Sequence, residues 1–262
     1  LIAPLAREGQ AFLLNPGNFG SFLLRRELEK AGRTGVLLGE LSSCLWACRR
    51  TAPGEVLSAN PLKTGKAAAL PAADTPALLA AFEGVFPLEA AENVLEAALN
   101  SPNVISHVAG AVLNAVEIEK KGEEYAFFLD GLGESVLRCF AVLEKERKAV
   151  MDRLGLAVYS PPSEGHMRMV MDRSSHPEME YFRRLDGPSS FQHRYVSEDA
   201  ACGLAMLVSL GRQYQVPTPL AQAFLTVAGV INGTDYLASG RTLESLGLGG
   251  LSPQDLLARL AG

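Results

Sequence analysis

Cysteine is scarce in this chain: four in 262 residues, at positions 44, 48, 139 and 202. Cys44 and Cys48 sit four apart in CLWAC, but no neighbouring His or Cys completes a ligand set, so the expectation is reduced thiols and no metal site. Runs of basic residues are absent, and the formal net charge is −5, which argues against broad nucleic-acid binding. Apolar runs stop well short of the roughly 20 residues a membrane helix needs. The opening LIAPLAREGQ lacks the basic start and long apolar core of a secretory signal. These absences together predict a cytoplasmic protein with no membrane or nucleic-acid partner. Internal repeats and low-complexity tracts are missing too, and so is a GxGxxG turn. The chain opens at Leu1, without an initiator Met, in what reads as the end of a helix entering a strand. Two expectations stand for this: a fragment of a longer protein, or a truncated gene.

What is present divides in two. The first third alternates strand-like and helix-like segments. AFLLN (11–15) reads as a strand, the turn PGNFGS follows, and FLLRRELEKAG reads as a helix. Two further strands are expected at 35–41 and 55–59, and a helix at 75–86 with Thr75 as N-cap and Pro76 in its first turn. After about Pro87 the pattern turns to long helices. Residues 88–119 are nearly free of breakers, and 131–154 are amphipathic. Residues 159–192 have no clear period and are expected to be short helices and a long loop. Helices are then expected from Ser197, from Thr218-Pro219 to Asn232-Gly233, and from Ser252 onward. The fold class this implies is α/β plus all-α, with domains at 1–92 and 93–262.

Two constellations could carry chemistry. NVISHVAGAVLN places Asn103, His107, Gly110 and Asn114 on one helix face, between apolar flanks. An unpaired polar group in such a setting costs roughly 1–3 kcal/mol, so this stripe requires partners. Either another core element or a ligand can supply them. The second is HRYVSEDAACGLA, where Ser197 could cap a helix carrying Glu198 and Asp199 in its first turn. Arg194, just before it, suits bidentate contact with a substrate carboxylate. In addition, the amides of PGNFGS at a strand-to-helix turn could line a phosphate, although the motif itself is weak.

The order NVISH, then GPSSFQHRYVSEDAACGLA, LGRQYQVPTPLAQA and GRTLESLGL resembles the octopine/nopaline (opine) dehydrogenase family. GQAFLLNPGNFGS, GELSSCLWACR and ANPLKTGKAAALPAADT also look like the second half of that family's nucleotide-binding domain. The resemblance implies a partial Rossmann-type domain followed by a helical domain like the C-terminal one of 6-phosphogluconate dehydrogenases. It further implies an oxidoreductase that uses NAD or NADP to join an amino acid to a 2-oxo acid. On matching positions, His107 is the catalytic histidine and Asp199 its orienting carboxylate. Arg194, Asn103 and Asn114 bind substrate, with Tyr195 and Glu198 in support. Pro16, Gly17, Gly20 and Glu40 contact the cofactor, and a homodimer through the helical domain is compatible with the pattern. Two other readings stand beside this one: a related 2-oxo- or hydroxy-acid reductase without amine condensation, and a non-catalytic helical interaction module.

Overall fold

The structure is a computed structural model describing residues 2–61 and 64–262. Leu1 and the Leu62-Lys63 pair of the ANPLKTGK element lie outside the described residues. The first part contains β1 (Ala11–Leu14), α1 (Gly20–Lys30), β2 (Leu37–Leu41), β3 (Trp46–Ala52), β4 (Glu55–Pro61), β5 (Gly65–Ala69), α2 (Thr75–Ala81) and β6 (Leu88–Ala90). Four of these strands form a mixed sheet in the order β1-β2-β5-β6. β1 pairs parallel to β2, β2 antiparallel to β5, and β5 parallel to β6. Among the described residues, β3 and β4 pair with each other alone, as an antiparallel hairpin turned at Pro53-Gly54, where Gly54 takes φ 80°. Only glycine adopts that left-handed conformation without steric cost.

The second part is helical. It begins with α3 (Val94–Leu99), α4 (Asn103–Leu113), α5 (Ala115–Lys121), α6 (Phe127–Asp130) and the 20-residue α7 (Glu134–Arg153). α8 (Ser163–Met171), α9 (Glu180–Arg183) and α10 (Arg194–Asp199) follow, then a π-helical segment at Ala200–Leu204. α11 (Ala205–Gln213), α12 (Pro219–Asn232), α13 (Tyr236–Ser239) and α14 (Pro253–Ala261) complete the chain. The main apolar core is continuous across both parts, running from Phe19, Ala68 and Leu70 through the buried faces of α3, α4, α7 and α11.

The pattern and the structure differ at several elements, each for a physical reason. The long helix expected over 88–119 is β6 followed by three helices. Asn100 interrupts it, because its side chain bonds Ala157 O while accepting from Tyr159 N and Ser160 N. Pro102 adds to the break, since the residue before a proline disfavours helical backbone. β3 was not expected at all: its residues are mostly exposed or half-buried, so the strand carries no apolar alternation to read. Thr75 does not cap α2; its hydroxyl accepts from Ala69 N instead. α12 starts after Thr218 as expected, but its amides at Leu220 and Ala221 are capped by the Glu146 carboxylate reaching over from α7. Residues 159–192 are short helices and turns, tied together by Arg183. That guanidinium is 1 % exposed and donates to four backbone carbonyls, at Met169, Val170, Asp172 and His176.

Candidate active site

α4 buries Val104, Ile105, Val108, Ala109 and Ala111, and on the same helix it buries His107. Each large apolar side chain so placed contributes roughly 1.5–3 kcal/mol, enough to hold a polar residue within the row. The partner that the polar stripe requires is Asp199. Its Oδ2 lies 2.8 Å from His107 Nδ1, with side-chain exposures of 3 % and 8 %. Where the carboxylate accepts, Nδ1 is the donor, and the neutral imidazole then carries its lone pair at Nε2. Nε2 has no hydrogen-bond partner among the described residues.

The approach of Asp199 depends on where α10 begins. Ser197 is not the cap. The helix starts at Arg194, capped by His193, whose Nδ1 accepts from Tyr195 N at 3.3 Å. Asp199 is consequently the last residue of α10, at the entrance to the π-helical segment. Single π turns inside helices recur at functional sites because they re-aim the side chains around them. The lone pair on His193 Nδ1 is protected: burial first, then Arg194 and Arg49, hold its pKa below the ordinary 6.5.

Aromatic rings frame the imidazole. Tyr195 stacks on His107 with centroids 3.6 Å apart and planes at 9°, and Phe127 stands edge-on to both at 6.2 and 5.5 Å. Gly110 explains how Phe127 fits: a Cβ there would lie 2.5 Å from Phe127 Cζ. Of the two possibilities the sequence left for Gly110, the close neighbour is thus a core ring. Arg194 is exposed, with its guanidinium carbon 5.3 Å from the Tyr195 centroid. Burial pushes the Tyr195 phenol pKa up, against the pull of Arg49 and Arg194.

The remaining predicted residues separate. Asn103 is the half-buried first residue of α4, one turn before His107. Asn114 is the C-cap of α4 and donates to Gly110 O and Gly131 O, so its amide ties α4 to the C-terminal end of α6. Pro16, Gly17 and Gly20 form the turn between β1 and α1. Glu40 lies beneath that turn, fully buried, with Oε2 accepting from Phe19 N at 2.9 Å and Oε1 from Ser21 N at 2.7 Å. Gly17 is pressed against it, since a Cβ would come within 2.3 Å of Glu40. Burial raises the Glu40 pKa even though these two amides favour its charged form.

Sequence reasoning missed Arg49 and Arg241. Arg49 sits on the exposed hairpin and donates to the Tyr195 hydroxyl at 2.7 Å. Arg241, from the GRTL element, donates to Asn18 O and so clamps the β1–α1 turn from the far end of the chain. Both lay inside elements of the resemblance, GELSSCLWACR and GRTL, but neither was given a role. A surface hollow of about 370 Å³ lies along α12 and another of about 380 Å³ between α11 and the start of α12, and neither is lined by His107 or Asp199. Polar groups converge instead at the buried His107–Asp199 pair.

Residues 90–232 match the model of NAD/NADP octopine/nopaline dehydrogenase, alpha-helical domain. The opine dehydrogenase of Arthrobacter sp. (strain 1C) is 36 % identical over 259 residues, covering 96 % of this chain and 71 % of that protein. The chain belongs to the opine dehydrogenase family. Its fold is similar to octopine dehydrogenase solved with NADH and pyruvate, with a TM-score of 0.66 at 18 % identity, over 96 % of this chain and 74 % of that one. NADP+-bound yersinopine dehydrogenase gives a TM-score of 0.62 at 15 % identity, over 96 % and 71 %. Membership makes this chain an NAD(P)-dependent oxidoreductase acting on CH–NH bonds, with small molecules as substrates and NAD or NADP as cofactor. No helix among the described residues is long and apolar enough to cross a membrane.

The residues present fit that cofactor at one end only. A buried imidazole with an unengaged nitrogen suits the proton demand of hydride chemistry. The β1–α1 turn, by contrast, is not a pyrophosphate cradle, because its amides at Phe19 and Ser21 are already bonded to Glu40.

Proposed function

We propose that this opine dehydrogenase joins the amine of an amino acid to a 2-oxo acid, with His107 and Asp199 handling the protons and Arg194 holding a substrate carboxylate. The observation that carries this is the buried 2.8 Å pair of His107 Nδ1 and Asp199 Oδ2, with Nε2 left over. Condensation expels water from the amine–carbonyl adduct, so the departing oxygen needs a proton that the imidazolium can give at Nε2. The nicotinamide, when bound, supplies the hydride. Asp199 fixes the tautomer and stabilises the imidazolium, by the logic of the hydrolase triads. Arg194 orients the acid, an entropic gain, and Asn103 lies on the same helix face to contact substrate. Glu40 serves as the brace under the turn of Pro16, Gly17 and Gly20.

NAD(P)H oxidation with pyruvate or 2-oxoglutarate, with and without a panel of amino acids, tests the reading. Oxidation that depends on the amine supports it. Oxidation by the oxo acid alone points to a reductase without condensation, and no cofactor binding by the native full-length protein contradicts both. Arg194→Ala is expected to raise the KM of one acid substrate about 10- to 100-fold, the loss of one charge-assisted hydrogen bond of ~1.5–3 kcal/mol, while kcat changes little. A fall in kcat at constant KM would contradict that role.

A further inference from the structure

Among the described residues the β3–β4 hairpin has no sheet neighbour, and Arg49 on it makes three hydrogen bonds, two of them to the helical part. Nη2 donates to Asp186 O at 2.9 Å and to the Tyr195 hydroxyl at 2.7 Å, while Nη1 donates to Cys48 O. None of these partners is a carboxylate, so the guanidinium is not part of a surface ion pair. The Tyr195 ring lies flat on the imidazole at 3.6 Å, and Nδ1 of that imidazole is pinned by Asp199. Asp199 engages the ring at one atom. The stacked tyrosine lies along its face and limits tilting away from that bond, and the tyrosine is itself held at its hydroxyl.

We propose that Arg49 is a positioning residue of the active site: the hairpin delivers it to the Tyr195 hydroxyl, and Tyr195 holds the plane of the His107 imidazole. This deepens the proposed function and rests on His107 doing the proton work. The hairpin is then part of the site, though it belongs to the sheet-containing part of the chain. Displacing a reacting group by about 1 Å can cost up to 10²-fold in rate, so the contact matters to turnover more than to binding.

The test uses Arg49→Ala, Arg49→Lys and Tyr195→Phe in the full chain, with steady-state kinetics and proton NMR of the histidine ring signals. The chain has four histidines, and His107 is identified by the signals lost in His107→Gln. In the wild type the His107 ring protons are shifted upfield by the stacked tyrosine. Arg49→Ala is expected to move them back toward ordinary positions and to lower kcat about tenfold, with both KM values within about threefold. Arg49→Lys should recover part of both changes. Tyr195→Phe, which keeps the ring but loses the acceptor, should act in the same direction, and the double variant should be no worse than Arg49→Ala. The proposal is overturned if Arg49→Ala leaves the ring signals in place, if it raises a KM while sparing kcat, or if Tyr195→Phe behaves as wild type. Failure of the wild type to show amine-dependent turnover would remove the proposed function instead, and the ring signals would still decide whether Arg49 sets the imidazole plane.

Discussion

Replacing His107 with Gln is expected to lower kcat/KM about 10³-fold, within the 10²–10⁴ range that a positioned general acid–base contributes, with the fold retained. Glutamine is the informative substitution. Alanine would leave the Asp199 carboxylate, 3 % exposed, without its partner, and stranding a buried charge costs about 3–5 kcal/mol. A loss of activity in that variant would then mix chemistry with unfolding. Glutamine offers Asp199 an amide N–H of similar reach but has no nitrogen that can take up and release a proton near neutral pH. A thousandfold loss is about 4 kcal/mol of transition-state stabilisation. NAD(P)H oxidation kinetics read the loss, and a thermal melt within a few degrees of wild type shows that the protein is still folded. Turnover within tenfold of wild type would remove His107 from the proton path.

The largest expected effect on stability is at Glu40. Its two carboxylate oxygens satisfy the amides of Phe19 and Ser21 at the start of α1, where no side chain of α1 or its own N-cap does so. Phe19 itself holds φ 65°, outside the range a bulky residue prefers. Glu40→Ala strands two buried donors at about 1–3 kcal/mol each, so denaturant unfolding should show a loss of roughly 2–5 kcal/mol. Glu40→Gln should fall between, because one amide loses its acceptor. Burial holds the Glu40 pKa above the ordinary 4.5, so in the window between those values the folded state binds more protons than the unfolded one. Its contribution to stability is therefore fully present below pH 4.5 and declines as pH rises through the folded pKa. Subtracting the Glu40→Gln stability curve from that of the wild type should isolate this decline. A difference that grows with pH would contradict the assignment.

The sequence revealed the dyad better than the surroundings that hold it. The four-three-four spacing of Asn103, His107, Gly110 and Asn114 marked a polar face, and the family resemblance carried by HRYVSED implied Asp199 as its partner, 92 residues away and 2.8 Å from the ring. Spacing did not show that Asn114 ends its helix and bonds Gly131, because a C-cap and a ligand-facing amide share the same period. Nor did it place the start of α10: Ser197 is a favoured cap type, but the side chain of His193 reached the amides first. Arg49 was given no role because the half-buried face of β3 carries Ala47 and Arg49 while Trp46 is exposed, so apolar character does not follow burial along the strand. The bond from Arg241 to Asn18 spans 223 residues, a contact that only the packed fold creates. The elements that could be read were those whose burial writes a period into the chain. Those missed are held by single polar contacts across large separations.

The dyad is the centre of this account, and a double-mutant cycle on His107→Gln and Asp199→Asn measures it most directly. If Asp199 acts only by orienting and charging the imidazole, its loss has nothing to act on once His107 is gone. The double variant should then have the same kcat/KM as His107→Gln, within about twofold, because residues acting as one unit are strongly non-additive. Losses that multiply, with the double variant lower than His107→Gln by the full factor seen for Asp199→Asn alone, would show two independent residues and contradict the dyad.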